Sequence, residues 1–83
     1  MHRIIIANRF GHQVVEWNTT DSEEAREAIA AAERIIREAR ERGCLVSRKE
    51  NGQHVLDNRP FDPSVEEYQV IAPIAGGQVS FSA

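Results

Sequence analysis

The sequence predicts an α+β fold, a mixed sheet of four to five strands with one long helix packed on one face. Three observations predict it. Short β-branched runs stand near both ends of the chain. A single uninterrupted segment with helical periodicity lies between Asp21 and Arg42. An Asn51-Gly52 pair then separates two further apolar-polar stretches. Eighty-three residues suffice for one small domain with one core, and one helix stripe laid on one sheet face is the economical way to build it.

The first strand is Arg3-Ile4-Ile5-Ile6-Ala7. It is short and β-branched, with no charge between Ile4 and Ala7, so it reads as a central strand covered on at least one face. Asn8 to His12 reads as a five-residue loop, and Gln13-Val14-Val15-Glu16-Trp17 resumes strand character, which makes a hairpin with a longer connection. Phe10 in that loop reads as a lid on the core or an exposed partner contact.

Asn18 to Ser22 is a dense run of capping residues, and Thr20 with Glu23 or Asp21 with Glu24 fits a capping box. Ala25, Ala28, Ile29, Ala32, Ile35, Ile36 and Ala39 then recur at steps of three and four, one apolar stripe. Acids crowd the start and arginines the end, as the helix dipole favours, and Glu33–Arg37 and Glu38–Arg42 are spaced as i,i+4 pairs. Gly43 is placed to end the helix in a left-handed turn. The charged outer face reads as a solvated surface.

Cys44 to Arg48 is the next strand, and Asn51-Gly52 is the strongest short hairpin signal, returning Gln53-His54-Val55-Leu56 against it. Asp57 to Glu67 carries Pro60 and Pro63 and reads as a turn-rich connector with a short helical turn at 64–67. Tyr68-Gln69-Val70-Ile71-Ala72 is the last clear strand. The expected arrangement places the first and last strands side by side and parallel in the centre.

Composition excludes several functions. The hydrophobic share is 41% and the charged share 28%, values foreign to a disordered polar chain. No apolar run approaches the roughly 20 residues needed to cross a bilayer, and no signal segment is read, so no membrane role is expected. The net charge of −3 argues against nucleic acid as a partner. One cysteine, Cys44, builds neither a disulfide framework nor a zinc site; it fits a reducing, cytoplasmic setting and reads as a small core residue.

Chemistry is sparse. His2, His12 and His54 fall at a terminus, a loop and a short strand, without metal-ligand spacing, so no metal and no catalytic group is assigned to them. Gly76-Gly77 lacks the lysine and the strand–loop–helix context of a phosphate loop.

The element order resembles the β-grasp, or ubiquitin-like, fold. Val70-Ile71-Ala72-Pro73-Ile74-Ala75-Gly76-Gly77 is similar to the ending of sulfur carriers such as the small subunit of molybdopterin synthase, and to the diglycine end of ubiquitin-like modifiers. The resemblance implies a domain over residues 1–75 and a functional tail over 76–83. It implies that Gly77 is adenylated by an activating enzyme, which uses ATP and magnesium, and that the chain itself binds no cofactor and is no enzyme. Gly76 is then the slender neighbour, since side chains would block a narrow channel and glycine reaches backbone angles closed to other residues. Pro73, Ile74 and Ala75 are the residues such an enzyme and a processing protease would read.

Gln78 to Ala83 follow the diglycine, so the resemblance requires cleavage between Gly77 and Gln78, by a JAB-type or a cysteine protease. A conjugating enzyme and a target protein complete the partners, as in bacterial ubiquitination-like operons, antiphage ones included. Two alternatives stay open: a sulfur carrier with a Gly77 thiocarboxylate, and a phage-type structural or assembly module. In the latter, Gly-Gly is a hairpin turn and Val79 and Phe81 belong to a further strand. The ubiquitin-like pattern also implies a docking patch of Ile71 with Leu45 or Val46; the alternative is that Ile71 is core. Lys49 is the only lysine among ten basic residues and hence the one side-chain acceptor for chains. The simpler reading of that bias is a genome that favours arginine codons, because arginine and lysine serve alike on an exposed helix face.

Overall fold

The computed structural model describes residues 1–8 and 11–72. Phe10, the diglycine and the segment after it lie outside the described residues. Among the described residues the elements run β1 (His2–Asn8), β2 (Gly11–Trp17), α1 (Glu23–Glu41), β3 (Leu45–Glu50), β4 (Gln53–Leu56) and β5 (Glu67–Ile71). The five strands form one mixed sheet in the order β2-β1-β5-β3-β4. β1 and β5 are parallel neighbours at its centre, as the sequence pattern predicts, and the other three pairings are antiparallel.

The sheet alternation assigns the two faces. Ile4 lies opposite Tyr68, Ile6 opposite Val70, and Val46 opposite Val70. These residues turn toward α1, where Ala32, Ile36 and Ala39 meet Ile4, Trp17, Val46, Tyr68 and Val70 in one core. The complementary set, Arg3, Ile5 and Ala7 with Glu67, Gln69 and Ile71, points to the face that α1 does not cover.

Local chemistry explains the element ends. The N-cap of α1 is Ser22, whose Oγ accepts from the Ala25 backbone N–H at 3.1 Å. Thr20 and Asp21, expected as caps, lie just outside the helix. Asp21 instead pairs with Arg26 at 2.7 Å, and the expected Glu33–Arg37 and Glu38–Arg42 contacts are absent from the ion pairs of the described residues. At the other end Gly43 takes φ +86°. Its N–H donates to the Arg40 carbonyl at 3.0 Å, and the Cys44 N–H donates to the Ala39 carbonyl at 2.9 Å. Those two bonds are a Schellman closure, which satisfies two orphan carbonyls and turns the chain toward β3. The helix therefore stops at 19 residues rather than being the long helix expected. Cys44 is half-buried, unbonded to another cysteine, and packs against the core.

Two connections depart from expectation. β1 and β2 pair as far as Asn8 opposite Gly11, so the strands run further than the five-residue loop allowed. In the connector, the turn sits at Pro63–Ser64 and no helical turn forms over 64–67; the Val65 N–H donates to the Asp62 carbonyl at 3.1 Å. The Asp62 carboxylate accepts from the Ser64 N–H at 2.9 Å and from its Oγ at 2.7 Å, which closes the turn from the side. These bonds hold the Asp62 carboxyl below its ordinary value.

The connector closes the flank of the core. Trp17 stacks on His2 at 5.8 Å between ring centres and meets the Phe61 edge at 5.3 Å; Phe61 stacks on Tyr68 at 5.4 Å. Both polar handles are satisfied: the Trp17 indole donates to the Pro63 carbonyl at 3.0 Å, and the Tyr68 hydroxyl accepts from the Asp62 N–H at 2.9 Å. Burial pushes the Tyr68 hydroxyl above its ordinary value. Asp57 anchors the start of the connector. Its carboxylate accepts from the Arg59 N–H at 2.9 Å, and its carbonyl accepts from Arg40 at 2.7 Å.

Candidate functional site

β5 is the strand from which the diglycine segment leaves. It ends at Ile71, and the Ala72 N–H still donates to the Ala7 carbonyl at 3.4 Å, so the chain is tied to β1 up to the residue before Pro73. Pro73, Ile74, Ala75, Gly76, Gly77 and Gln78 lie outside the described residues.

Beside that exit the open sheet face is apolar. Ile71 and Leu45 sit opposite each other on β5 and β3, 43% and 57% exposed, and Ala7 faces Ile71 from β1. Val14 and Leu56 are exposed further out on the edge strands. Val46, expected with Leu45 as a patch residue, is corrected: it is only 4% exposed and belongs to the core. Strand alternation is the reason, because adjacent residues face opposite sides of a sheet and only one of the pair reaches solvent. Tyr68 and Val70 face the helix and Ile71 does not.

Lys49 lies near the Asn51-Gly52 turn, half-buried, with its Nζ 3.6 Å from Glu66. It is opposite His54 in the β3–β4 ladder.

A polar row crosses the same open face one step away from the apolar patch. Glu67 on β5 is almost fully buried. Its Oε1 accepts from Arg3 Nε on β1 at 2.9 Å, and its Oε2 accepts from His54 Nε2 on β4 at 2.7 Å. On the far side of the ring, His54 Nδ1 lies 3.2 Å from the Ser47 hydroxyl on β3. Burial pushes the Glu67 carboxyl up, but the His54 hydrogen bond and the Arg3 guanidinium outweigh it and hold the group below its ordinary value. An ionised carboxylate only accepts, so Nε2 carries the imidazole proton. In neutral His54 the lone pair is then on Nδ1, and Ser47 donates to it.

From the sequence His54 reads as an isolated histidine of a short strand, and Ser47, Glu67 and Arg3 carry no signal at all. The Asn-Gly turn does place His54 against Lys49. The same hairpin register brings Ser47 diagonal to the ring, whereas Glu67, with Arg3 opposite it, comes from long-range register.

A groove of about 400 Å³ runs between the second half of α1 and the connector, lined by Ile36, Arg37, Arg40 and Phe61 among others. Glu33 and Glu41 also line it and offset the two arginines, so it selects no charge. Two buried polar atoms near the connector, Arg40 Nε and Asp57 Oδ2, have no hydrogen-bond partner. Among the described residues, no group of three or more His, Cys, Asp or Glu side chains is placed to hold a metal ion, and no helix is long and apolar enough to cross a membrane. Comparison of the chain with protein-family models, with curated proteins and with solved structures found no match in any of the three.

Proposed function

We propose that this chain is a ubiquitin-like protein modifier of β-grasp type, activated at Gly77 after proteolysis between Gly77 and Gln78. The observation that carries the reading is the exit of the diglycine segment. β5 is the central strand, parallel to β1, and it ends one residue short of Pro73, beside the exposed pair Ile71 and Leu45. An activating enzyme that reads Pro73, Ile74 and Ala75 would meet that apolar pair at the same time. The mixed sheet with one helix on one face, and parallel first and last strands, is compatible with the β-grasp arrangement that the sequence resembles.

In this reading the freed Gly77 carboxylate attacks the α-phosphorus of ATP, releasing pyrophosphate; a thiol then takes the acyl group and releases AMP, and a target amine takes it from the thioester and releases the thiol. Exposed apolar side chains around an otherwise polar surface are the usual anchors for such transient partners. The test is expression with the genes that neighbour it and a search for covalent adducts by mass. Gly77→Ala is expected to abolish adducts while leaving the fold intact, and Ile71→Arg is expected to reduce them at least tenfold. Adducts that persist unchanged in Gly77→Ala would reject the assignment.

A further inference from the structure

The modifier chemistry leaves the polar row on the open face unused. Ser47, His54 and Glu67 come from three adjacent strands, β3, β4 and β5, and alternate residues put all three on one face. The linkage is continuous: Ser47 Oγ to His54 Nδ1 at 3.2 Å, and His54 Nε2 to Glu67 Oε2 at 2.7 Å. Arg3 holds the other Glu67 oxygen at 2.9 Å, fixing the carboxylate from behind. A hydroxyl hydrogen-bonded to a neutral imidazole whose other nitrogen is held by a carboxylate is the arrangement that activates an oxygen nucleophile. Leu56, opposite Ser47 on β4, and Leu45, two residues before it on β3, are exposed on that face, and Gln69 stands opposite it on β5.

We propose that Ser47 is a nucleophilic hydroxyl, activated by His54, that accepts short apolar acyl groups from activated esters. Ser47 Oγ forms a bond to the acyl carbon as its proton moves to His54 Nδ1. The carbonyl–oxygen bond of the ester breaks, and the leaving alkoxide takes that proton; where it departs as a stable anion, His54 gives the proton to solvent and returns to the neutral form. Water then attacks the acyl carbon, gives its proton to His54, and releases the carboxylic acid while Ser47 recovers its hydrogen. Glu67 is a positioning residue: it holds the ring in the tautomer that accepts from Ser47. Leu45 and Leu56 account for the apolar acyl preference. The proposal does not rest on activation of Gly77.

The test uses p-nitrophenyl acetate with the full chain, reading p-nitrophenolate release together with intact mass and peptide mapping. The expected result is one acetyl group on Ser47, none there in Ser47→Ala, and an acetylation rate about 100-fold lower in His54→Ala. Both positions lie on the solvent side of the sheet, and circular dichroism verifies that the variants fold. Glu67→Gln is expected to lower the Ser47 acetylation rate with the circular dichroism spectrum unchanged, because the ring loses the carboxylate that holds its tautomer, and Glu67→Asp is expected to keep part of the rate. An unlabelled chain, acetylation only on Lys49 or the terminal amine, or a Ser47 rate unchanged in His54→Ala would each overturn the proposal.

Discussion

Glu67 concentrates the electrostatics of the open face in one side chain. It is almost fully buried, yet a guanidinium and an imidazole on its two sides keep it ionised. Its folded pKa lies below the ordinary carboxylate value, so between the two the unfolded chain binds more protons, and stability rises with pH there. The contribution is complete above the unfolded value and is lost as pH falls through the lower, folded one. Thermal unfolding followed from neutral pH down to about pH 3 is expected to show a smaller loss in Glu67→Gln than in the wild type. Asp62, lowered by its Ser64 bonds, titrates in the same acid window in both proteins, so the difference between the two curves isolates Glu67. Equal slopes would show that Glu67 gains nothing from Arg3 and His54. The same logic makes Val46 uninteresting as a contact and Ile71 informative: one is core, the other stands beside the exit of the chain.

Packing on the common core holds the elements, and their ends add smaller, separable contributions. Ser22→Ala removes the acceptor for the Ala25 N–H and is expected to cost about 1 kcal/mol in denaturant unfolding. Gly43→Ala is expected to cost about 1–2 kcal/mol, because a Cβ at φ +86° is strained although nothing lies within 4 Å of it. An unchanged midpoint in both variants would show that the ends contribute nothing. Much of this level was legible in the sequence. Asn51 and Gly52 take φ 54° and 80°, the left-handed pair that a two-residue hairpin demands, and Gly43 ends the helix where its position suggests. The N-cap was less legible, since Thr19, Thr20, Asp21 and Ser22 are all chemically able to cap and only the backbone path selects one. The connection of the first hairpin is shorter than the polar or small residues Asn8, Gly11 and His12 predict. β2 is an edge strand with its residues largely exposed, so polarity there does not end pairing. Least legible was the polar row. Asn51-Gly52 sets His54 opposite Lys49 and diagonal to Ser47, a local consequence, whereas bringing Glu67 to the ring needs the β3–β5 register, set by burial of Val46 and Val70 on the other face.

At the scale of the whole molecule, one helix stripe, one sheet face and an aromatic flank of Trp17, Phe61 and Tyr68 make a single core. Among the described residues, no element packs on the second sheet face. Its apolar half surrounds Ile71 and Leu45 where β5 ends, and its polar half carries Ser47, His54 and Glu67. In the proposed reading, the central strand β5 runs to the residue before Pro73 and so sets where the segment carrying the diglycine starts relative to Ile71 and Leu45. The structural or assembly alternative uses the same fold but keeps the whole chain intact in its working form. The two part on a single bond. The most direct measurement is the intact mass of the protein purified from cells that make it naturally. The account predicts a species ending at Gly77, with residues 78–83 removed. A full-length chain as the sole active species would contradict it.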